Sequence, residues 1–155
     1  MSTVEVGKKV PDFSGQATSG IDFKLSDYLG NPILFYFYPK DNTPGCTKEG
    51  QDFRDHYDAF TSKGIVIFGI SRDGIKMHEN FKAKHEFPFE LISDKDESIC
   101  QIFDVIKEKK LYGKVHMGIE RSTFLLDSKG VLLKEWRKVK VKEHLSQVLE
   151  AIEEL

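Results

Sequence analysis

From Ile33 to Tyr38 every residue is apolar or aromatic, and the run ends at Pro39. It is too short for a typical helix and has no polar face, which predicts a central strand buried on both sides. Beyond Pro39 the spacing changes. Gly50, Phe53, Tyr57 and Phe60 recur at helical intervals and Cys46 falls on the same stripe, so a helix follows the strand and turns the thiol inward. Thr43 is placed as the N-cap and Pro44 as the first helical residue, which puts Cys46 in the first turn. A second apolar segment, Ile65 to Ile70, stops at Ser71-Arg72-Asp73-Gly74. Strand, helix and strand at this spacing form a βαβ unit, which requires parallel strands and a right-handed crossover.

The flanking segments extend this pattern. Asp12 to Leu25, broken at Ser19-Gly20, reads as an opening hairpin, and Ser26 to Gly30 as a short turn. A helix is predicted from about Lys76 to His85, a short strand near Phe89 to Ile92, and a helix after Asp94 carrying Ile99, Ile102, Phe103 and Ile106. The basic block Lys107 to Lys110 reads as a solvated loop. Thr123 to Leu126 and Val131 to Trp136 flank Asp127-Ser128-Lys129-Gly130, a hairpin signal, and Leu145, Val148, Leu149 and Ile152 mark a C-terminal amphipathic helix. The order is that of an α/β, thioredoxin-like fold, a central mixed sheet flanked by helices with an N-terminal β-hairpin extension, in a single domain over residues 1–155.

Charge narrows the function. With 23 basic and 25 acidic residues and a net charge of -2, nothing favours nucleic acid as a partner. No stretch is long and apolar enough for a membrane span, and the N-terminus lacks the regions of a signal peptide, so a cytoplasmic protein is expected. Cys46 and Cys100 cannot make a disulfide scaffold, and no Cys or His cluster has zinc spacing; no metal and no other cofactor is expected.

The candidate chemistry lies at Cys46. A thiol in the first turn of a helix sits among unpaired N–H groups at the positive end of the helix dipole, which favours thiolate. The alternative is a small hydrophobe filling a gap under the helix. The flanking residues decide for reactivity: Pro39-x-x-x-Thr43-x-x-Cys46 within FYPKDNTPGCTKEG resembles the active-site loop of peroxiredoxins of the bacterioferritin comigratory protein (PrxQ) branch. LSDYLGNP, FGISRD, LISDKDESICQIFDVIKEK, GIERSTFLLD and WRKVKV extend the resemblance over nearly the whole chain in order. Thioredoxins have Cys-x-x-Cys at this turn, and here Thr43 stands where the first cysteine would be.

The resemblance implies a thiol-dependent peroxidase. The Cys46 thiolate would attack hydrogen peroxide or an organic hydroperoxide and become a sulfenic acid. Thr43 and the Cys46 N–H would orient the peroxide, Arg121 would stabilise thiolate and polarised oxygens, and Pro39 would shield the loop. Arg54, Arg72 and Arg137 are rivals that the residues alone do not exclude; the family pattern selects Arg121. Glu49 reads as a first-turn acid complementing the dipole, and none of the histidines has a motif context. Family members place a resolving cysteine at the positions of Gln51 or Lys82, and neither is a thiol here. Cys100, on the flank of its helix and partly buried, is the possible resolving residue, although a structural role is expected because nothing brings it within bridging distance. The expectation is therefore a monomeric one-cysteine enzyme recycled by thioredoxin or another external thiol. The alternatives are a two-cysteine mechanism through Cys100 and a peroxide-sensing or partner-binding module.

Overall fold

A computed structural model describes residues 4–155. Strands β1 (Ser14–Ala17) and β2 (Asp22–Lys24) form the opening hairpin, turning through Ser19 and Gly20, both at positive φ. Then come β3 (Ile33–Phe37), α1 (Pro44–Asp55), α2 (Tyr57–Thr61), β4 (Val66–Ser71), α3 (Ile75–His85), β5 (Glu90–Ser93) and α4 (Ser98–Phe103). The chain ends with β6 (Ile106–Leu111), β7 (Lys114–Ile119), β8 (Ser122–Leu126), β9 (Leu132–Trp136) and α5 (Val141–Ile152).

Seven strands make one mixed sheet in the order β2-β1-β5-β4-β3-β8-β9. Its centre, β3, β4 and β5, is parallel, as the βαβ reading requires, and β8 and β1 run antiparallel on either side. Every residue of β3 is buried. Because side chains alternate across a strand, Ile33, Phe35 and Phe37 enter one core with Phe13, Phe23, Phe103 and Phe124, while Leu34, Tyr36 and Tyr38 enter the other with Phe53, Phe60, Phe81 and Val148. The first core takes in Val10 and Phe13 ahead of β1, Phe23 of β2 and Ile99 of α4, and the second takes in side chains of α1, α2, α3 and α5. Each buried Phe contributes on the order of 2 kcal/mol by leaving water, so both faces of the sheet are held.

Three elements differ from the sequence reading. The helix expected to run through Tyr57 and Phe60 breaks at His56, whose φ and ψ of -116 and 20 leave the helical region, and α2 starts afresh. The helix after Asp94 stops at Asp104, which adopts a left-handed conformation, so Ile106 opens β6 and is not on that helix. The block Lys107 to Lys110 is strand and not a solvated loop: β6 pairs with β7 in a separate two-stranded sheet.

Candidate active site

The loop after β3 delivers Cys46. Pro39 follows buried Tyr38 and is half-buried, Asn42 takes a φ of 62, and Thr43 occupies the N-cap position with extended backbone. The Thr43 hydroxyl donates to the Lys40 carbonyl at 2.9 Å and makes no side-chain cap to the helix, contrary to the capping role expected for it. The helix-start N–H groups are thereby left to serve something other than Thr43. Cys46, in the first turn of α1, is 1% exposed.

Register brings Arg121 to the same place. β8 lies antiparallel to β3 with Ser122 opposite Phe37, so Arg121, one residue before β8, reaches the end of the sheet where the Pro39 loop begins. Its Nη2 donates to Cys46 Sγ at 3.3 Å and its Nη1 to Glu49 Oε1 at 2.7 Å. Gly45 permits this approach, since a Cβ there would stand 3.1 Å from Nη2. Burial alone would lower the Arg121 pKa, yet Glu49 and Cys46 beside it hold it above its ordinary value. Arg54 instead binds Asp55 and the His85 carbonyl, Arg72 binds Glu97, and Arg137 binds the Phe103 and Asp104 carbonyls. Of the four candidate arginines, Arg121 alone has a hydrogen bond to Cys46 among the described residues.

Glu49 is a correction. It lies past the first turn and is 2% exposed, and it serves as the partner of Arg121 and not as a dipole-complementing acid. Burial pushes its carboxyl up to about 7 against the opposing pull of Arg121, and its Oε2 has no hydrogen-bond partner.

A second group, which the sequence did not reveal, pins the loop from below. Buried Asp41 accepts from Tyr38 Oη at 2.6 Å, and its Oδ2 shares a hydrogen with His78 Nδ1 at 2.6 Å. His78 Nε2 stands 3.0 Å from the Ile92 carbonyl and must donate to it. Asp73 accepts from the Asp41 N–H at 2.8 Å and from Ser71 Oγ at 2.6 Å. Asp41, Asp73 and His78 lie close enough to hold a metal ion, but these atoms already pair with hydrogen-bond donors and acceptors, so the cluster reads as a clamp. The signal was the Tyr38, Asp41 and Ser71-x-Asp73 pattern at two adjacent strand ends.

Cys100 is on the other side of the sheet. It is fully buried in the first core, not partly exposed on a flank as expected, whereas Cys46 belongs to the second. Burial, reinforced by Asp94, pushes its thiol far above the ordinary range. Gln51 is half-buried on α1, and Lys82 on α3 points its Nζ to Glu90 Oε1 at 3.4 Å. Buried His144 meets Thr123 Oγ1 at 2.7 Å, and its imidazole is depressed to about 4 by burial.

A lone buried cysteine at a helix start, touched by a guanidinium on a thioredoxin-like sheet, defines a thiol-based redox enzyme without a vicinal dithiol. Residues 6–134 match the AhpC/TSA family. The chain is 50% identical over 153 residues to peroxiredoxin Bcp of Bacillus subtilis (strain 168), covering 99% of this chain and 98% of that one. A cysteine-to-serine mutant of Xylella fastidiosa PrxQ superposes with a TM-score of 0.92 at 38% identity, covering 99% and 98% of the two chains. Xanthomonas campestris bacterioferritin comigratory protein, whose structures concern alkyl peroxide reduction, gives 0.89 at 45% identity, again covering 99% and 98%. The chain belongs to the AhpC/TSA family and is a peroxiredoxin of its Bcp/PrxQ branch, hence a thiol-dependent peroxidase.

Proposed function

We propose that Cys46 is the peroxidatic residue of a one-cysteine peroxidase acting on hydrogen peroxide and organic hydroperoxides. The contact of 3.3 Å between Arg121 Nη2 and Cys46 Sγ carries the reading. The thiolate attacks the nearer peroxide oxygen, an S–O bond forms as O–O breaks, and the departing oxygen leaves as hydroxide or alkoxide and takes up a proton. Donors fixed before reaction stabilise the charge that develops on that oxygen. Arg121 supplies one and the Cys46 N–H a second, while Thr43, whose hydroxyl hydrogen is held by the Lys40 carbonyl, accepts from the peroxide O–H and orients it. Pro39 keeps bulk water from the sulfur.

An external thiol then reduces the sulfenic acid, forming a mixed disulfide and water, and a second thiol releases Cys46. Thioredoxin or a low-molecular-weight thiol suits this step. Cys100 is unsuited to it, because the seven-stranded sheet stands between the two sulfurs and a disulfide needs Cα atoms within about 7 Å. The enzyme acts as a cytoplasmic monomer; among the described residues no helix is long and apolar enough to cross a membrane. A groove of about 440 Å³ between α1 and α5, lined by Gly45, Lys48, Val141 and Leu145, opens beside the helix start.

Steady-state peroxide consumption with a thioredoxin system tests this. Cys46→Ser should abolish it with the fold intact, and Arg121→Ala should slow Cys46 oxidation by roughly 10² or more, while Arg54→Ala has little effect. Turnover retained in Cys46→Ser, or lost in Arg54→Ala and kept in Arg121→Ala, contradicts the assignment.

A further inference from the structure

The charges around Cys46 do not balance with Arg121 alone. Its guanidinium already holds Glu49 at 2.7 Å, so above about pH 7, where the raised Glu49 carboxyl gives up its proton, that pair is neutral. A Cys46 thiolate would then be an uncompensated buried charge, which is costly.

The hairpin that the sequence concealed brings a further cation. Lys109 of β6 is half-buried, although β7 opposite is exposed over most of its length. Its aliphatic chain lies along Gly118, where an added Cβ would meet Lys109 Cδ at 3.3 Å, and its Nζ donates to the Ile119 carbonyl at 2.5 Å. Ile119 is two residues before Arg121, so the ammonium is anchored on the segment that presents the guanidinium. Burial, and then repulsion from Arg121, depress the Lys109 pKa, and Arg72 adds to this; Cys46 and Glu120 act in the opposite direction. Arg72 is itself paired with Glu97, and His116 lies across the hairpin from Lys109. The bond to Ile119 thus keeps a cation near Arg121, whose own charge Glu49 meets, and Cys46, with Glu120, is a group there that can answer it with negative charge.

We propose that Lys109 supplies the net positive charge that sustains the Cys46 thiolate, because Glu49 takes up the charge of Arg121. The inference rests on Cys46 being the peroxidatic thiol. Lys109 touches neither sulfur nor peroxide; it acts through its field and through the Ile119 carbonyl that it holds.

The test uses the full chain with Lys109→Met, Lys109→Gln and Lys109→Arg. Rates of Cys46 alkylation by iodoacetamide and of Cys46 oxidation by hydrogen peroxide are followed between about pH 5 and 10, with the modified peptide located by mass spectrometry. Met and Gln should be slower by about tenfold near neutral pH, with the profile displaced by about one pH unit, and should converge on the wild type at the alkaline end. Arg should track the wild type. Wild-type profiles in the Met and Gln variants, with Cys46 still oxidised by peroxide, overturn the inference and leave the peroxidase reading intact. An equal loss at every pH also overturns it, showing that Lys109 merely props the hairpin. Failure of wild-type Cys46 to react with peroxide removes both.

Discussion

Glu49→Gln separates two buried titrations that oppose each other in the wild type. Glu49 is held at about 7 against an ordinary 4.5, chiefly by burial. Between these values the unfolded chain has released a proton that the folded chain retains, so the stability present below 4.5 is lost as pH rises toward 7. His144 is held at about 4 against an ordinary 6.5, again by burial. Its contribution is complete above 6.5 and is lost as pH falls toward 4, because the unfolded chain binds a proton that the folded chain refuses. At about 1.4 kcal/mol per pH unit, each displacement is worth about 3 kcal/mol, with opposite signs and overlapping windows. The two therefore nearly cancel in the wild type over the overlap. Gln fills the Glu49 site without ionising, and any packing cost it brings does not vary with pH. Urea unfolding under reducing conditions, extrapolated to water, should show the difference between Glu49→Gln and wild type moving in favour of the variant by about 3 kcal/mol from about pH 4.5 to 8. A difference that is the same at both ends of that range refutes the reasoning.

Other consequences are simpler. Thr43→Val keeps the shape of the loop but removes the hydroxyl that donates to Lys40; peroxide oxidation of Cys46 in stopped flow should slow by roughly 10² or more, and an unchanged rate removes Thr43 from the peroxide site. Cys100→Ala should leave peroxide turnover unchanged while lowering the urea midpoint, since it opens a small cavity in a core where Cys100 is fully buried; loss of turnover at full stability contradicts its structural role.

How much could be read in the chain follows from where each signal is stored. The apolar run Ile33 to Tyr38 announced a strand because it is buried on both faces, and Pro44 announced the helix start because its fixed φ and missing N–H suit the first helical position, even though the Thr43 hydroxyl does not cap the helix. The hairpin β6–β7 left no such trace. It stands apart from the main sheet and β7 is mostly exposed, so the charged run Lys107-Glu108-Lys109-Lys110 shows no apolar alternation. Glu49 was misread for a different reason: its partner is 72 positions away, and a glutamate near a helix start looks the same in sequence whether it faces solvent or a buried arginine. The break at His56 was hidden because Phe53 and Phe60 both face the same core, so the stripe continues across an interrupted backbone. Arg121 was selected by resemblance and is brought to Cys46 by the register of β8 on β3, a fact that spacing alone does not contain.

The most direct test of the central claim is the product formed when the protein meets a stoichiometric amount of hydrogen peroxide in the presence of a sulfenic-acid-trapping nucleophile, read by peptide mass spectrometry without reduction. The account predicts a trapped adduct on Cys46, an unmodified Cys100, and sulfinic acid at Cys46 when peroxide is in excess and no trap is present. A peptide linking Cys46 to Cys100 at monomer mass would contradict the one-cysteine mechanism, and an unreacted Cys46 would contradict the site itself.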